Sequence, residues 1–120
     1  MNEQTPVHIR LDTTLDGTYG RYFDHSSHQW VNDTHYNRAF LKWSEEHLND
    51  VLRVRGFVFL NEVYERLGFD YTVIGAICGW VRDEGRIDFG LDSQKVTTEP
   101  IFLDFNVQGI IFDKIERRPS

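Results

Sequence analysis

The hydrophobic pattern has a helical period in the middle of the chain. Between residues 35 and 55, apolar side chains recur at spacings of three and four, which is typical of one face of an amphipathic helix. This stripe consists of Phe40, Trp43, His47, Val51 and Val54, and Leu48 and Leu52 widen it. The pattern therefore predicts a helix over residues 35–55 that packs into the core through this stripe.

The residues around this helix indicate where it begins and ends. Candidate N-cap side chains precede it, and Gly56 behind it is a typical C-terminal stop. The candidate caps are Asn32, Asp33 and Thr34. Basic residues in the last turn, Arg53 and Arg55, suit the helix dipole. The acidic residues of the later turns are expected on the solvent side: Glu45, Glu46 and Asp50.

A second, shorter helix is predicted over residues 58–67, directly after this glycine. Its apolar residues repeat at helical spacing, and Gly68 closes the element. They are Leu60, Val63, Tyr64 and Leu67. Residues 72–78 form either a third short helix or an apolar strand, because Gly75 and Gly79 weaken the helical interpretation.

From Trp80 onward the pattern alternates with a period of two, as in half-buried strands. The alternating segments predict two hairpins, one from residues 80–82 with 86–91 and one from residues 101–107 with 110–115. Helices followed by hairpins indicate the α+β class, with two helices of the N-terminal half packed on a C-terminal antiparallel sheet of two hairpins. Trp43 and Trp80 are expected in the shared core.

The first 35 residues show no sustained period apart from residues 7–11, which alternate like one short strand. The remainder reads as a loop, yet it contains Tyr19, Tyr22, Phe23 and Trp30. That is more aromatic surface than a free tail usually carries, so part of the segment is expected to pack on the domain. The chain is thus divided into an irregular N-terminal segment, a single α+β domain and a polar tail, at residues 1–34, 35–115 and 116–120.

Composition and net charge indicate which kinds of partner and which cellular compartment are to be expected. The net charge of −6 and the pI near 5.2 argue against sequence-independent nucleic-acid binding. Cys78 is the only cysteine, which excludes an intramolecular disulfide and fits a reducing compartment. The longest apolar run is too short for a membrane helix, and the first residues lack a signal-peptide pattern. A cytoplasmic protein without membrane association is expected.

Several strings in the second half of the chain resemble a group of short uncharacterised proteins encoded by bacteriophages and prophages of Gram-positive and actinobacterial hosts. The strings are FLNEVYERLG at 59–68, GWV at 79–81, IDFG at 87–90 and LDFNVQGII at 103–111. The resemblance covers about residues 57–115. It implies a mobile-element origin and a host-cytosolic or virion setting, and it brings no catalytic residue and no cofactor.

One short stretch concentrates potential metal ligands. Asp24, His25 and His28 lie close together, and Asp33 and His35 follow. Imidazole and carboxylate groups bind zinc and similar ions, so a metal-dependent hydrolase is one alternative function. The spacing matches no established ligand pattern, and solvated histidines are common in polar loops. We therefore assign no metal, no cofactor and no catalytic residue.

Two further interpretations remain for catalysis and DNA binding. Asp88, Asp104 and Asp113 would supply paired carboxylates, but all three fall on the solvent side of the alternation. The order of elements also describes a winged-helix DNA-binding regulator, with residues 73–78 as the recognition helix. That helix would lack Arg, Lys, Asn and Gln, so contacts to DNA would depend on Arg82 and Arg86.

The preferred hypothesis is a module that binds another protein, from the host or from the phage. It rests on the acidic surface, the missing chemistry and the aromatic N-terminal segment, in which Tyr19, Tyr22, Phe23 and Trp30 are the candidate contact residues. The alternative is that these four side chains pack only against their own domain.

Overall fold

The computed structural model describes residues 9–10, 19–93 and 101–116. The elements in chain order are β1 (Ile9–Arg10), β2 (Arg21–Phe23), α1 (Thr34–Arg55), β3 (Phe57–Phe59), α2 (Leu60–Leu67), β4 (Tyr71–Thr72), β5 (Cys78–Val81), β6 (Ile101–Leu103), β7 (Gly109–Ile110) and α3 (Phe112–Glu116), with 3-10 turns at Ile74–Ala76, Arg82–Glu84 and Leu91–Ser93. The helices lie mainly in the N-terminal half and the strands toward the C-terminus, which confirms the α+β class. Residues 7, 8 and 11 of the predicted N-terminal strand fall outside the described ranges. Residues 94–100 and residues 117–120, which belong to the predicted polar tail, also fall outside them.

The long helix begins and ends where the sequence predicts. The carboxylate of Asp33 accepts the Tyr36 N–H at 3.0 Å and caps the first turn. At the other end, Gly56 adopts the left-handed conformation with φ of 101°, and its N–H donates a hydrogen bond to the Leu52 carbonyl at 2.8 Å. This turn sends the chain directly into β3, so the first residues of the predicted second helix are extended.

The second helix, α2, therefore starts at Leu60 instead of residue 58. A Glu62 carboxylate oxygen accepts the Phe59 N–H at 2.9 Å, which satisfies one of the free donors at this helix start. Gly68 ends the helix in the left-handed conformation, with φ of 87°. Within residues 72–78 the helical prediction is confirmed in a shorter form, because a 3-10 turn at Ile74–Ala76 separates β4 from β5 and the Thr72 hydroxyl accepts the Gly75 N–H at 2.9 Å.

The strands of the described residues form three small sheets. The largest is antiparallel with the order β3-β5-β7, and it pairs Val58 with Trp80 and Gly79 with Gly109. Strand β2 pairs antiparallel with β6, and β1 pairs parallel with β4. Each of these pairs joins segments that are distant in the sequence.

The two predicted hairpins are wrong in their pairing, although their inward positions are right. Ile87 and Phe89 are fully buried as the alternation predicts. Their segment, however, does not pair with β5; it lies beside residues 104–106, where the Asp104 N–H donates to the Phe89 carbonyl at 3.0 Å. Strands β6 and β7 likewise pair with β2 and β5 and not with each other. Alternating burial reports which side chains face inward, and it carries no information about the partner strand.

The core lies between α1, α2 and the sheets. Trp80 is completely buried, as predicted, and its indole N–H donates to the Asn106 side-chain oxygen at 3.0 Å. Phe23 from β2 joins the same core, in agreement with the expectation that part of the N-terminal segment packs on the domain. Trp43 does not join it, so its predicted core position is wrong.

Candidate functional site

The side of α1 that packs on the core contains three buried polar residues. Leu41, Leu48 and Leu52 are accompanied there by Asn37, Ser44 and Glu45. The prediction that Glu45 lies on the solvent side is therefore wrong. A polar side chain is stable inside only when its hydrogen bonds are made, and these residues make them.

Their partners are mainly backbone groups of segments without regular structure. Asn37 donates to the Val31 carbonyl at 2.7 Å and accepts the Val31 N–H at 3.0 Å, so one side chain fixes the approach to the helix. A Glu45 carboxylate oxygen accepts the Phe89 N–H at 2.8 Å. Half-buried Asn49 bonds both the N–H and the carbonyl of Ile87, at 2.8 and 2.9 Å. The helix thus supplies hydrogen bonds that a neighbouring strand would supply in a sheet.

As a consequence, the stripe assigned to the core by periodicity faces largely outward. We call Tyr36, Phe40, Trp43, His47 and Val54 the outer face of α1. Trp43 is 58 % exposed and Val54 is 75 % exposed, while Tyr36 and His47 are also exposed. The prediction that this stripe packs into the core is right for Leu48 and Leu52, which are buried, and partly right for Phe40 and Val51, which are half-buried against the core. It is wrong for Trp43, His47 and Val54, because the buried side of the helix is shifted toward its polar residues.

The aromatic rings of the outer face contact each other. The Tyr36 ring lies parallel to Phe40 at 6.5 Å and edge-on to Trp43 at 6.4 Å between centroids. Phe40 in turn stacks at 5.9 Å on buried Phe23. The exposed rings are thereby connected to the core through one half-buried phenylalanine, which limits their freedom before any partner binds.

The four aromatic residues predicted as contacts in the N-terminal segment do not form one surface. Phe23 is completely buried, so its side chain belongs to the core and has no surface to offer a partner. Tyr19 and Trp30 are half-buried and pack against that core. The Tyr19 carbonyl accepts the hydroxyl of Tyr64 at 2.7 Å, and burial, together with neighbouring Cys78, raises the pKa of the Tyr19 phenol.

Tyr22 alone of these four is largely exposed, at 59 %. It points to the opposite side of β2 from Phe23, as neighbouring residues of a strand do. Its ring lies 5.0 Å from that of Phe102, the residue opposite it on β6. Tyr22 also borders a cleft of about 260 Å³ that His28 and Asp70 help to line.

The histidine-rich stretch forms a hydrogen-bonded turn. An Asp24 carboxylate oxygen accepts the hydroxyl of Ser26 at 2.6 Å and its N–H at 3.0 Å, and these bonds hold the pKa of Asp24 below its usual value. His25 lies edge-on to Trp30, and His28 is exposed beside Gly68. Within residues 9–10, 19–93 and 101–116, no three His, Cys, Asp or Glu side chains come together in a way that would hold a metal ion.

The other sequence candidates also have definite positions. Asp88 and Asp104 are exposed, as the alternation predicts, and an Asp88 carboxylate oxygen accepts the Gly90 N–H at 2.8 Å. Asp113 is also exposed, but it lies on α3, so the prediction of a strand through residues 112–115 is wrong. The segment proposed as a DNA recognition helix is the 3-10 turn Ile74–Ala76, which is shorter than the helix that fills a major groove.

Comparison with known proteins places the chain in a family without adding an activity. No helix among the described residues has the length and apolar content needed to cross a bilayer. Neither the curated proteins nor the solved structures contain a significant match. A family model matches residues 1–115, and the chain therefore belongs to this family of unknown function, DUF6353.

Proposed function

We propose that this protein acts by binding another protein through the outer face of α1. The observation that supports the proposal is a stripe with the periodicity of a buried helix face that its own domain leaves exposed. Large exposed aromatic side chains are unfavourable in water, and contiguous ones are typical of interaction sites. Tryptophan and tyrosine are also the residues that most often dominate binding energy at interfaces.

The spacing of the stripe indicates the kind of surface it receives. Tyr36, Phe40, Trp43, His47 and Val54 follow the a and d positions of a heptad, with Asp50 at the remaining position. This seam runs along α1, whose 22 residues span about 33 Å. A partner helix laid along the seam would bury the aromatic rings, and Asp50, between His47 and Val54, would be the one acidic position that it meets. The proposed partner surface is therefore an amphipathic helix with its apolar side against Trp43.

The N-terminal segment contributes to this proposal in a reduced form. Phe23 supports the outer face from within through its contact with Phe40. Tyr22, with Phe102, is a separate exposed aromatic pair on the β2–β6 ribbon and offers a second, smaller contact. Tyr19 and Trp30 act in this account by positioning the segment on the core.

The test compares variants of the outer face for partner capture from lysate of the host cell. Trp43→Ala and the double variant Tyr36→Ala/Trp43→Ala should lose the captured protein, while their melting temperatures stay close to the parent value because both rings are exposed. Truncating a central interface tryptophan typically costs about 2 kcal/mol or more, so the affinity should fall at least roughly 30-fold.

Val73→Ala is the matched control, since Val73 is also an exposed apolar residue but lies in the loop after β4. It should retain the partner fully. A partner held equally by the parent and by both outer-face variants would refute the assignment of this surface. A purified protein that turns over a substrate without any stable partner would refute the binding function itself.

The setting of this function follows from the resemblance of residues 57–115 to phage and prophage proteins. We propose a host-directed or virion-associated role, in the host cytosol or in the particle. The position of the gene provides the test. A neighbourhood of tail or capsid genes favours a virion component, and an early-expressed cluster favours a host-directed factor; an isolated chromosomal gene without mobile-element neighbours would contradict both.

A further inference from the structure

A cleft on another side of α1 gathers arginine residues in an otherwise acidic protein. It has a volume of about 600 Å³, and its lining comprises Arg53, Arg82 and Arg86 together with Asn49, Asp50, Leu52 and Gly85. Arg53 comes from the last turn of α1, Arg82 begins the 3-10 turn that follows β5, and Arg86 lies just after that turn. The fold therefore brings together three guanidinium groups from two segments about 30 residues apart, in a chain with net charge −6.

Arg82 is positioned by the end of the helix. Its guanidinium donates to the Arg53 carbonyl at 2.6 Å, and its backbone N–H donates to the Gly56 carbonyl at 3.0 Å. Both bonds satisfy carbonyl groups that the end of α1 leaves free. A guanidinium carries five N–H donors, so this capping role leaves several donors of Arg82 for a further ligand.

The backbone of Arg86 is fixed by hydrogen bonds, whereas its guanidinium has no bonded partner among the described residues. Its carbonyl accepts the Asn106 side-chain N–H at 3.0 Å, and the next residue, Ile87, is bound on both sides by Asn49. No hydrogen bond or ion pair involves the Arg86 guanidinium within the part of the chain that the structure describes. A cation on a fixed backbone, without a carboxylate partner there, differs from Arg55, which forms a salt bridge to Glu62 at 2.6 Å.

The charge of the cleft remains positive after its acidic neighbours are counted. Asp50 forms an ion pair with Arg53 at 2.9 Å and compensates one of the three charges. Asp83 lies 3.8 Å from Arg82 and is 91 % exposed, so its carboxylate is well solvated and screens little. At least one full positive charge, centred on Arg86, has no local compensation among the described residues.

We propose that this cleft binds the phosphate group of a small molecule. Planar guanidinium groups match phosphate oxygens in a bidentate geometry, and they are more weakly hydrated than ammonium groups. The volume falls in the range of about 300–1,000 Å³ that small-molecule sites occupy. A long polyanion such as DNA is disfavoured because the remaining surface is acidic. Asn49 and Arg53 lie on a different side of α1 from Tyr36 and Trp43, and the cleft borders the proposed protein contact only at Asp50.

Calorimetric titration with inorganic pyrophosphate at low ionic strength provides the test. The parent protein should bind one equivalent, and Arg86→Gln should weaken the affinity about tenfold or more, because a hydrogen bond to a charged group is lost. The double variant Arg53→Gln/Arg86→Gln should show no saturable binding. Arg82 is left unchanged, since its replacement would also remove the cap of α1.

Arg66→Gln is the matched control, because it removes the same charge from an exposed arginine on α2 that does not line the cleft. It should change the affinity less than about twofold, apart from weak screening. Absence of saturable binding at millimolar pyrophosphate would overturn the proposal. An equal loss in Arg66→Gln and Arg86→Gln would also overturn it, since the attraction would then be diffuse. Tighter binding of citrate or of random duplex DNA than of pyrophosphate would contradict the ligand assignment.

Discussion

The replacement of Asn49 by alanine separates two physical effects that predict opposite results. On an amphipathic helix, an asparagine at the edge of the polar side is a poor helix former, and alanine should stabilise the helix by about 0.5 kcal/mol. The structure, however, shows the Asn49 side chain bonded to both the N–H and the carbonyl of Ile87, which is completely buried. Alanine would leave both backbone groups without these partners.

We expect the loss of these hydrogen bonds to outweigh the gain in helix propensity. A buried polar group left without a partner costs roughly 1–3 kcal/mol, and two such groups give about 2–6 kcal/mol. Asn49 itself is only half-buried, so water will reach part of the site and the lower end applies. After subtraction of the gain in helix propensity, Asn49→Ala should lower the free energy of unfolding by about 1.5 kcal/mol. For a chain of this length that corresponds to a fall of roughly 5–9 °C in melting temperature.

Thermal and urea unfolding followed by circular dichroism measure this change. Asn49→Asp should fall between the parent and the alanine variant, because it keeps the acceptor for the Ile87 N–H and loses the donor for the Ile87 carbonyl. Glu46→Ala serves as the control, since Glu46 is exposed on the same helix and should change the free energy by less than about 0.5 kcal/mol. A melting temperature for Asn49→Ala equal to or above that of the parent would refute the reasoning.

The remaining predictions concern the tryptophans and the cysteine. Trp80→Ala should lower the free energy of unfolding by about 3–5 kcal/mol and Trp43→Ala by less than about 1 kcal/mol in urea titrations; equal losses would contradict the placement of the two rings. Burial raises the pKa of the Cys78 thiol, so the folded state favours the neutral thiol. The stability that this group contributes is complete below the unfolded pKa of about 8.5, and it is lost as the pH rises above that value and the unfolded chain releases the proton. Between pH 7 and 10 the free energy of unfolding should therefore fall less steeply with pH for Cys78→Ala than for the parent. Parallel pH profiles for the two proteins would refute this.

The sequence predicts the long helix well and its orientation poorly. Caps and spacing located α1 within one residue at its start, because Asp33 and Gly56 act through local backbone geometry. The predicted stripe includes buried Leu48 and Leu52 but misses Asn37, Ser44 and Glu45, because these polar residues look like surface residues until their partners are known. Glu45, for example, accepts a hydrogen bond from the backbone N–H of Phe89, more than 40 residues away. No local sequence pattern predicts such a partner.

The same limit explains the strands and the candidate site. Alternation identified Ile87 and Phe89 as inward residues, yet their hydrogen bonds come from α1 and from residues 104–106. Of the predicted contact aromatics, Tyr22 is exposed and Phe23 is buried, a distinction that depends on the pairing of β2 with a strand about 80 residues later. The outer face of α1 was visible in the sequence as a hydrophobic stripe, but only the structure reveals that its own domain does not cover it.

The proposed function requires that the outer face of α1 binds another protein. Site-specific photo-cross-linking tests it directly, with a photoreactive phenylalanine analogue placed at position 43 or, as the control, at position 73. Both side chains are more than half exposed, so neither replacement should disturb the fold. The account predicts a discrete cross-linked adduct in host cells from position 43 and none from position 73. No adduct from position 43, or the same adduct from both positions, would contradict it.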